Sequence, residues 1–485
     1  MRGLLGVVNV LGSLLALFSL YFLLPVGVAL AWREPAAWSF LACGVGIALL
    51  GLLLRALTRR FKTELKPRDG YVLVTLGWLT LVAVGAAPLR VLIPGLSYTD
   101  AFFESMSSLT TTGSTVLSSL DTLPHSVNIW RHALAWFGGM GIIVMAVAIL
   151  PLLGVGGMQR YRAETPGPVK DAKLTPRIVE TAKILWLVYA ALTAVCALAY
   201  WMAGMSAFDA VCHAFSTLAL SATSTHSHSF GYFDSPQIEF VAIVFMLLSA
   251  ISFTTHFVAI RKRAFGQYGR DPEARWMLLW IIASCIALSS FIYELRIYPD
   301  YLSALRNVSF NLVSVATTTG FVNTDYGQWP IFVPLWMLFL SCICASTASP
   351  GGGIKLFRTL VLIKQSFREM FTLVHPQAVA PLKINGSVVP NRVVYSVLAF
   401  IFLYFMTIVT LTFALLASGL DLESSLTAVV ASMNNVGPGL GAVGPSTNYA
   451  ALSGFQTWMC IAAMFLGRLE VFTCLVLFTP TFWRK

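Results

Sequence analysis

The stretch FESMSSLTTTG runs from Phe103 to Gly113, between two long apolar segments. It begins as a short semi-polar segment and ends in three threonines and a glycine. Three later stretches, FSTLALSA, SVATTTG and ASMNNVG, share this pattern and end at Ala222, Gly320 and Gly437. In all four, a small residue lies six positions before the last one. A unit repeated in register between long apolar segments indicates one local structure used four times.

The rest of the composition places these stretches in a membrane. Of 485 residues, 57% are hydrophobic and 11% are charged, whereas soluble proteins have about 25% charged residues. The apolar runs are continuous and do not alternate, which favours helices over a β-barrel. We therefore predict an all-α polytopic membrane protein. The predicted spans are 3–31, 37–57, 71–95, 127–153, 178–204, 236–260, 275–297, 330–370, 393–420 and 454–480.

The basic residues predict the orientation of the chain. Most of the 32 lysines and arginines lie at the chain ends and in alternate connections. The exceptions are Arg33, Arg90, Arg131, Arg296 and Arg306 on the other side, and Arg468 within the last span. The positive-inside rule then places both termini in the cytoplasm. Anionic membrane lipids account for the net charge of +11, so no nucleic-acid partner is needed.

The repeated stretches predict re-entrant loops. Backbone that is not helical survives within a membrane only where protein or a water-filled path surrounds it. Four such loops around an axis would turn their carbonyl oxygens towards a dehydrated monovalent cation, and threonine hydroxyls would add oxygen ligands. Glycine permits the positive φ that this orientation requires. The predicted architecture is two N-terminal helices followed by four helix, pore loop, helix repeats around one central pore. The predicted divisions are 1–69, 70–160, 161–263, 264–380 and 381–485.

Two other classes of membrane protein remain as alternatives. A secondary transporter for an organic solute also binds at broken helices, but predicts two repeated halves. An intramembrane enzyme needs a nucleophile with its base, or a metal cluster, and no such set stands out, so we predict no enzyme. The GxGxxG match at 439–444 lacks a preceding strand, so no nucleotide or organic cofactor is expected in this chain. His226 and His228 form an HxH pair with no third metal ligand nearby in sequence.

Five motifs point to a known family. They are LTTTG at 109–113, WFGGMG at 136–141, QRYRAETPGP at 159–168, NNVGPG at 434–439 and GRLE at 467–470. Over nearly its whole length the chain resembles the Trk/Ktr/HKT superfamily of cation transporters, closest to the TrkH-type membrane subunit. The resemblance implies potassium uptake across the bacterial inner membrane and a homodimer with one pore per protomer. It also implies a cytosolic ring of nucleotide-binding, RCK-type regulatory subunits.

The resemblance further assigns the potassium-binding filter. Its residues are Thr110, Thr111, Thr112, Gly113, Leu220, Ser221, Ala222, Thr318, Thr319, Gly320, Asn435, Val436 and Gly437, with the carbonyl of Thr317 beside them. Ala222 stands where the family usually has glycine. We expect it to pay about 1 kcal/mol for left-handed backbone geometry. Related plant transporters with serine at a filter glycine pass sodium, so potassium selectivity and potassium/sodium permeation both remain open.

The eighth span contains a break at Ala348-Ser349-Pro350-Gly351-Gly352-Gly353-Ile354-Lys355. A proline and three glycines in succession end a helix. The resemblance implies a gating loop beneath the filter, with gate residues Ser349, Pro350, Gly351, Gly352, Gly353, Lys355 and Arg468. Ala348 and Pro350 replace the usual glycine and threonine, so a stiffer loop is expected. At the outer mouth, Glu104 and Asp100 either concentrate cations or are solvated loop residues.

Overall fold

The structure, a computed structural model, describes residues 2–61, 66–144 and 174–484 and is helical almost throughout that part. Its longer helices are Arg2–Phe18, Leu23–Ala31, Ala36–Thr58, Pro67–Leu92, His125–Val144, Leu174–Met202, Pro236–Ala250, Phe253–Lys262, Pro272–Glu294, Phe332–Ile343, Leu356–Val374, Asn391–Ala417 and Gly454–Arg468. Short helices are Gly266–Arg270, Phe472–Leu475 and Pro480–Trp483. Strands Lys383–Ile384 and Ser387–Val388 form an antiparallel hairpin.

Six helices within the described residues are long and apolar enough to cross a membrane, or up to eight if two bent pairs each count as one span. They carry exposed apolar side chains such as Leu17, Trp38 and Leu187 on their outer faces. In water such a surface would be unfavourable, whereas lipid chains solvate it. The prediction of a polytopic helical membrane protein is confirmed. The motif at 159–168 and the end of the predicted span 127–153 lie outside the described residues.

Two of the predicted spans are bent, a feature that the apolar pattern did not predict. The span 236–260 bends by 93° between Ala250 and Phe253, and 454–480 bends by 103° after Arg468. At the first bend, the freed backbone groups pair with the interrupted segment of the eighth span. The N–H of Phe253 donates to Ala348 O (3.2 Å), and that of Ser346 donates to Ala250 O (3.2 Å). Hydrophobicity is the same along a straight or a bent helix, so the apolar pattern did not distinguish them.

The eighth span is interrupted as predicted. Its helices Phe332–Ile343 and Leu356–Val374 are separated by residues 344–355, here called the intramembrane loop. Glycine at 351, 352 and 353 removes side chains where the loop packs against other backbone. A Cβ on Gly352 would lie 1.9 Å from Asn434 O, and one on Gly353 would lie 2.7 Å from Ser341 O. Close packing therefore requires these two glycines.

Four short helices differ from the spans because they are buried within the protein. Half-helix 1 is Tyr98–Leu109, half-helix 2 is Ala207–Ala219, half-helix 3 is Tyr301–Ala316 and half-helix 4 is Leu422–Met433. All four begin with the same device, a Ser or Asp that accepts a hydrogen bond from the backbone N–H three positions later. The capping residues are Ser97, Ser206, Asp300 and Asp421. Such caps satisfy an N–H that would otherwise lack a partner.

The hydrophobic core forms around these half-helices. One cluster surrounds half-helices 2 and 3, and includes Leu218, Phe230 and Val315. A second surrounds half-helices 1 and 4 and the N-terminal helices, and includes Phe103 and Met433. The C-terminal parts of the half-helices are buried in these clusters, so the loops that follow them are held inside the protein.

Candidate functional site

The loop after each half-helix repeats one backbone conformation. We call residues 110–116, 220–226, 317–323 and 434–440 return loops 1 to 4. Each loop has a left-handed residue at the same register: Thr111 (φ 59°), Leu220 (54°), Thr318 (64°) and Asn435 (54°). Two positions later, three loops have a glycine with positive φ: Gly113 (80°), Gly320 (81°) and Gly437 (107°). A non-glycine left-handed residue is uncommon, so four in register mark a repeated and constrained structure.

Ala222, in the corresponding position of return loop 2, does not have a positive φ. The expectation that Ala222 adopts a strained left-handed conformation is therefore wrong. Return loop 2 turns at Leu220, where the N–H of Ser221 closes the half-helix by donating to Ser216 O (2.9 Å). After that turn the chain continues without a second left-handed residue, so alanine meets no Cβ penalty there.

The four loops converge on the methyl group of Ala222. A Cβ added to Gly113 would lie 2.5 Å from the Ala222 Cβ, one on Gly437 would lie 2.8 Å from it and one on Gly320 would lie 2.9 Å from it. Real Cβ atoms do not come this close to other carbons, because van der Waals contact begins near 3.5 Å. A side chain at any of these three glycines would therefore clash with the methyl group of Ala222.

Carbonyl oxygens face this centre. Thr112 O lies 2.8 Å from the Cβ position of Gly437, and Val436 O lies 1.7 Å from that of Gly320. A side chain at either glycine would collide with the neighbouring oxygen, so the two glycines keep space beside Thr112 O and Val436 O. Gly437 O differs, because it accepts hydrogen bonds from Ser114 Oγ and Tyr449 Oη, both at 2.9 Å. Gly437 thus leaves space at the centre, whereas its own carbonyl oxygen is already hydrogen-bonded to other residues of the protein.

The threonine hydroxyls mostly bind within the loops. The hydroxyl of Thr110 donates to Met106 O (2.7 Å) and lies 2.8 Å from the hydroxyl of Thr112, which accepts from Asn435 Nδ2 (3.0 Å). Return loop 3 repeats this arrangement, with Thr317 donating to Val313 O (2.7 Å) and lying 2.8 Å from Thr319 Oγ1. These hydroxyls fix the backbone, so the carbonyl oxygens are the main groups available for a cation.

Two glycines behind the loops explain the motifs WFGGMG and GRLE. A Cβ on Gly138 would lie 1.8 Å from Leu109 O, and one on Gly467 would lie 2.0 Å from Met433 O. Leu109 and Met433 are the last residues of half-helices 1 and 4, at corresponding positions. Both glycines let a supporting helix contact the half-helix end directly. The two motifs alone did not predict this packing role.

The intramembrane loop lies against the inner side of return loops 3 and 4. The N–H of Gly352 donates to Thr318 Oγ1 (2.9 Å), and Asn434 O abuts Gly352. Ala348 has φ 61°, so the left-handed strain expected at Ala222 is found here. Alanine in this conformation costs about 1–2 kcal/mol. Ser349 donates to Ser346 O (2.7 Å), which closes the turn.

Two buried cations hold this loop. Arg468 donates from Nη1 to Pro350 O (2.5 Å) and from Nη2 to Gly138 O (3.0 Å). Lys355 donates to Ser349 O (3.2 Å) and to Gly351 O. Within the described part of the chain, no carboxylate forms an ion pair with either cation. Glu470, two residues after Arg468, pairs instead with Arg358 at 2.5 Å.

Neither expectation for the outer acidic residues describes Glu104. Its side chain is 1% exposed and forms an ion pair of 3.1 Å with Arg131, which is 2% exposed. It is therefore neither solvated nor a free negative charge in the mouth. Asp100 is exposed to solvent in part and accepts a hydrogen bond from Ser97 Oγ (2.6 Å) at the start of half-helix 1.

A polar cavity of about 500 Å³, here called the vestibule, lies next to the return loops. Its walls include Thr115, His228, Asn323, Asp325 and Asn448. Its lining therefore offers hydroxyls, amides and a carboxylate.

His226 lies beside this vestibule, between two carboxylates. Its Nδ1 is 2.8 Å from Asp121 Oδ1, and its Nε2 is 3.4 Å from Asp209 Oδ1 at an angle too poor for a hydrogen bond. Burial opposes protonation, but Asp209 and Asp121 outweigh it and raise the pKa of His226. The described residues contain no group of three or more His, Cys, Asp or Glu arranged for a metal.

Sequence reasoning missed two supports of the site. Glu273, in the first turn of the helix Pro272–Glu294, accepts a hydrogen bond from the N–H of Thr347 (2.6 Å) in the intramembrane loop. Tyr404 donates to Asn434 Oδ1 beneath return loop 4. The available signal was a polar side chain near or within an apolar span, which commonly marks a buried functional contact.

Comparisons with known proteins agree with this geometry. The family model TrkH, described as a cation transport protein, matches residues 39–485. The Trk system potassium uptake protein TrkH of Salmonella typhimurium is 46% identical over 99% of both chains. TrkG of Escherichia coli, also a Trk system potassium uptake protein, is 37% identical over 99% of this chain and 98% of its own length. The crystal structure of the potassium transporter TrkH from Vibrio parahaemolyticus superposes with TM-score 0.91 at 43% identity, covering 99% of this chain and all of that one.

Proposed function

This chain belongs to the TrkH family of cation transport proteins, and on that premise we propose that it takes up potassium through the centre of its four return loops. One observation carries the proposal: the left-handed residues Thr111, Leu220, Thr318 and Asn435 recur in register around one centre. A transporter for an organic solute would need a chemically asymmetric pocket, whereas a spherical ion is served by repeated oxygens.

Electrostatics favour a cation at this centre. The C-termini of all four half-helices lead into the return loops, so the negative ends of their dipoles point inwards. Thr112 O and Val436 O lie beside the central glycines. Such carbonyl dipoles compensate for the lost hydration of a weakly hydrated cation without any formal negative charge. The filter assignment of the thirteen residues from Thr110 to Gly437 rests on this arrangement.

Gating is assigned to the intramembrane loop. The loop packs against return loops 3 and 4 on their inner side, and Arg468 and Lys355 hold it through backbone carbonyls. Two positive charges beneath a cation site raise the energy of an ion passing there. Movement of the loop away from Thr318 would remove the steric barrier and the charge of Lys355, while Arg468 would stay on its helix.

For the assembly, we propose a homodimer with one pore per protomer. The names of the relatives support only the broader point that such proteins belong to a potassium uptake system. A cytosolic ring of nucleotide-binding, RCK-type subunits would regulate it. The placement is the bacterial inner membrane, with both termini cytoplasmic, which fits the basic residues of the alternate connections.

Potassium/sodium permeation is a second candidate, favoured by Ala222. Its methyl group occupies the space between three glycines, and its backbone lacks the positive φ of its counterparts. The fourth loop position therefore presents its carbonyl differently. A site with fewer well-placed oxygens discriminates less strongly between potassium and sodium.

The test is the reversal potential of the purified protein in planar bilayers with potassium on one side and sodium on the other. The native chain and Ala222→Gly are compared. A potential close to that of potassium in both would mean that the methyl is tolerated. Sodium permeation that decreases in Ala222→Gly would make Ala222 the selectivity determinant. No cation current, with and without the regulatory subunit, would reject the proposed pathway.

A further inference from the structure

A buried ion pair lies directly behind return loops 1 and 2. Glu104 is on half-helix 1, and Arg131 is on the helix His125–Val144 that follows it. Their closest atoms, Glu104 Oε2 and Arg131 Nε, are 3.1 Å apart, and both side chains are almost fully buried. Burying two charges is costly unless each is also well hydrogen-bonded, so the remaining contacts of the pair matter.

Those contacts reach two different return loops. Glu104 Oε1 accepts from Thr115 Oγ1 (2.6 Å) and from the N–H of Val116 (2.7 Å), both in return loop 1. Arg131 donates from Nη2 to Thr115 Oγ1 (3.4 Å) and from Nη1 to Ser224 O (3.4 Å) in return loop 2. The carboxylate thus binds its own loop, and the guanidinium extends the connection to the neighbouring one.

The other three repeats have a counterpart of the contact between Glu104 and its own loop. His213 Nε2 is 3.0 Å from Ser224 Oγ, Asn311 Oδ1 accepts from the N–H of Asn323 (3.4 Å) and Thr427 Oγ1 accepts from the N–H of Leu440 (2.9 Å). His213 and Asn311 hold the position of Glu104 in their half-helices, and Thr427 is one residue away from it. Each polar side chain binds the loop of its own repeat. Among these four, Glu104 alone is charged.

Return loops 1 and 2 also pack closely against each other at this bridged junction. A Cβ on Gly113 would lie 2.4 Å from the backbone nitrogen of Ala222, so return loops 1 and 2 are in direct backbone contact. Arg131 also lines the small cavity next to this contact, together with Gly113, Ala222 and Ser224. A shift of either loop would change the oxygen spacing at the centre, and such spacing decides how well a site matches one ion.

We propose that Glu104 and Arg131 are positioning residues that set the separation of return loops 1 and 2 and thereby the cation selectivity of the pathway. This inference rests on the proposed function. Glu104→Gln keeps the shape of the side chain but removes its charge, so the connection from Arg131 to Ser224 loses its anchor. Arg131→Gln removes that connection outright.

The experiment measures the relative permeabilities of sodium, potassium, rubidium and caesium from reversal potentials in planar bilayers. We expect each single variant to change the ratios by several-fold. The matched control is Glu239→Gln, which breaks the outer ion pair between Glu239 and Arg306 (2.8 Å) without touching a return loop. We expect it to keep the native ratios. The inference would be overturned by native permeability ratios in both Glu104→Gln and Arg131→Gln. Changes of the same size in the permeability ratios of the control would also overturn it.

A second pair of variants avoids leaving a buried charge alone. Thr115→Val removes the hydroxyl that both charged groups contact, and Thr115→Ser retains it. Altered ratios in the valine variant with native ratios in the serine variant support the positioning role, even where the charge variants fail to fold. Native ratios in Thr115→Val oppose it. Absence of any cation current in the native protein would reject the proposed function itself, which keeps the two failures distinct.

Discussion

The hydroxyl of Thr318 accepts a hydrogen bond of 2.9 Å from the backbone N–H of Gly352. This contact joins the left-handed residue of return loop 3 to the middle of the intramembrane loop. Both groups are buried, so water is not available to replace either partner. The site that would select the ion and the segment that would stop it are therefore connected through a single hydrogen bond.

Loss of that bond should favour the open pathway. Thr318→Val preserves the side-chain shape but leaves the N–H of Gly352 without its acceptor, at a cost of about 1–3 kcal/mol to the closed arrangement. We expect a higher potassium flux into proteoliposomes that contain this chain without a regulatory subunit. Thr318→Ser retains the hydroxyl and should match the native flux. An unchanged flux in the valine variant would show that this bond does not hold the loop.

Removing the charge of Arg468 should also raise the flux. Its guanidinium links Pro350 O to Gly138 O beneath the filter, and Arg468→Gln removes both the link and the positive charge. We expect several-fold faster potassium uptake in cells that lack their own uptake systems. Arg275→Gln, which neutralises an exposed cation at the start of another helix, is the control. Slower uptake in Arg468→Gln, at equal expression, would contradict a barrier role.

Glycine at position 348 should relieve strain in the intramembrane loop. Ala348 has φ 61°, a conformation that costs alanine about 1–2 kcal/mol. Glycine also gains entropy in the unfolded chain, about 0.4–1 kcal/mol, so we expect Ala348→Gly to raise the unfolding temperature only slightly. Gly353→Ala should lower it, because φ is 73° and the new Cβ would lie 2.7 Å from Ser341 O. Thermal unfolding in detergent measures both, and a lower temperature for Ala348→Gly would contradict the assignment.

The outer contact of His226 should depend on pH. Its raised pKa means that protonation stabilises the folded state. That stabilisation is fully present below the unfolded pKa of about 6.5 and is lost as the pH rises through the higher folded value. Over this pH interval, we expect the unfolding temperature of the native protein to fall more than that of the His226→Gln variant. Asp121 and Asp209 are the charged groups that face the ring and favour its protonated form. Parallel curves for both proteins would refute the linkage.

The sequence by itself determined the helical membrane fold, the break at 348–355 and the four repeated stretches. These follow from local properties, namely apolar length, the helix-breaking effect of Pro350 with the glycines, and residue spacing. The same local signals did not show that the helices around Ile251 and Glu470 bend, because a bend keeps the apolar composition.

Tertiary structure alone decided how the four loops meet. The sequence singled out Ala222 because the other three repeated stretches end in glycine. Its ordinary φ and the central place of its methyl group, however, depend on three loops far away in the chain. Likewise, Glu104 was a candidate for the outer mouth until its burial against Arg131 gave it another role. Charge, strain and space at such residues depend on neighbours from other repeats, and local sequence does not specify those distances.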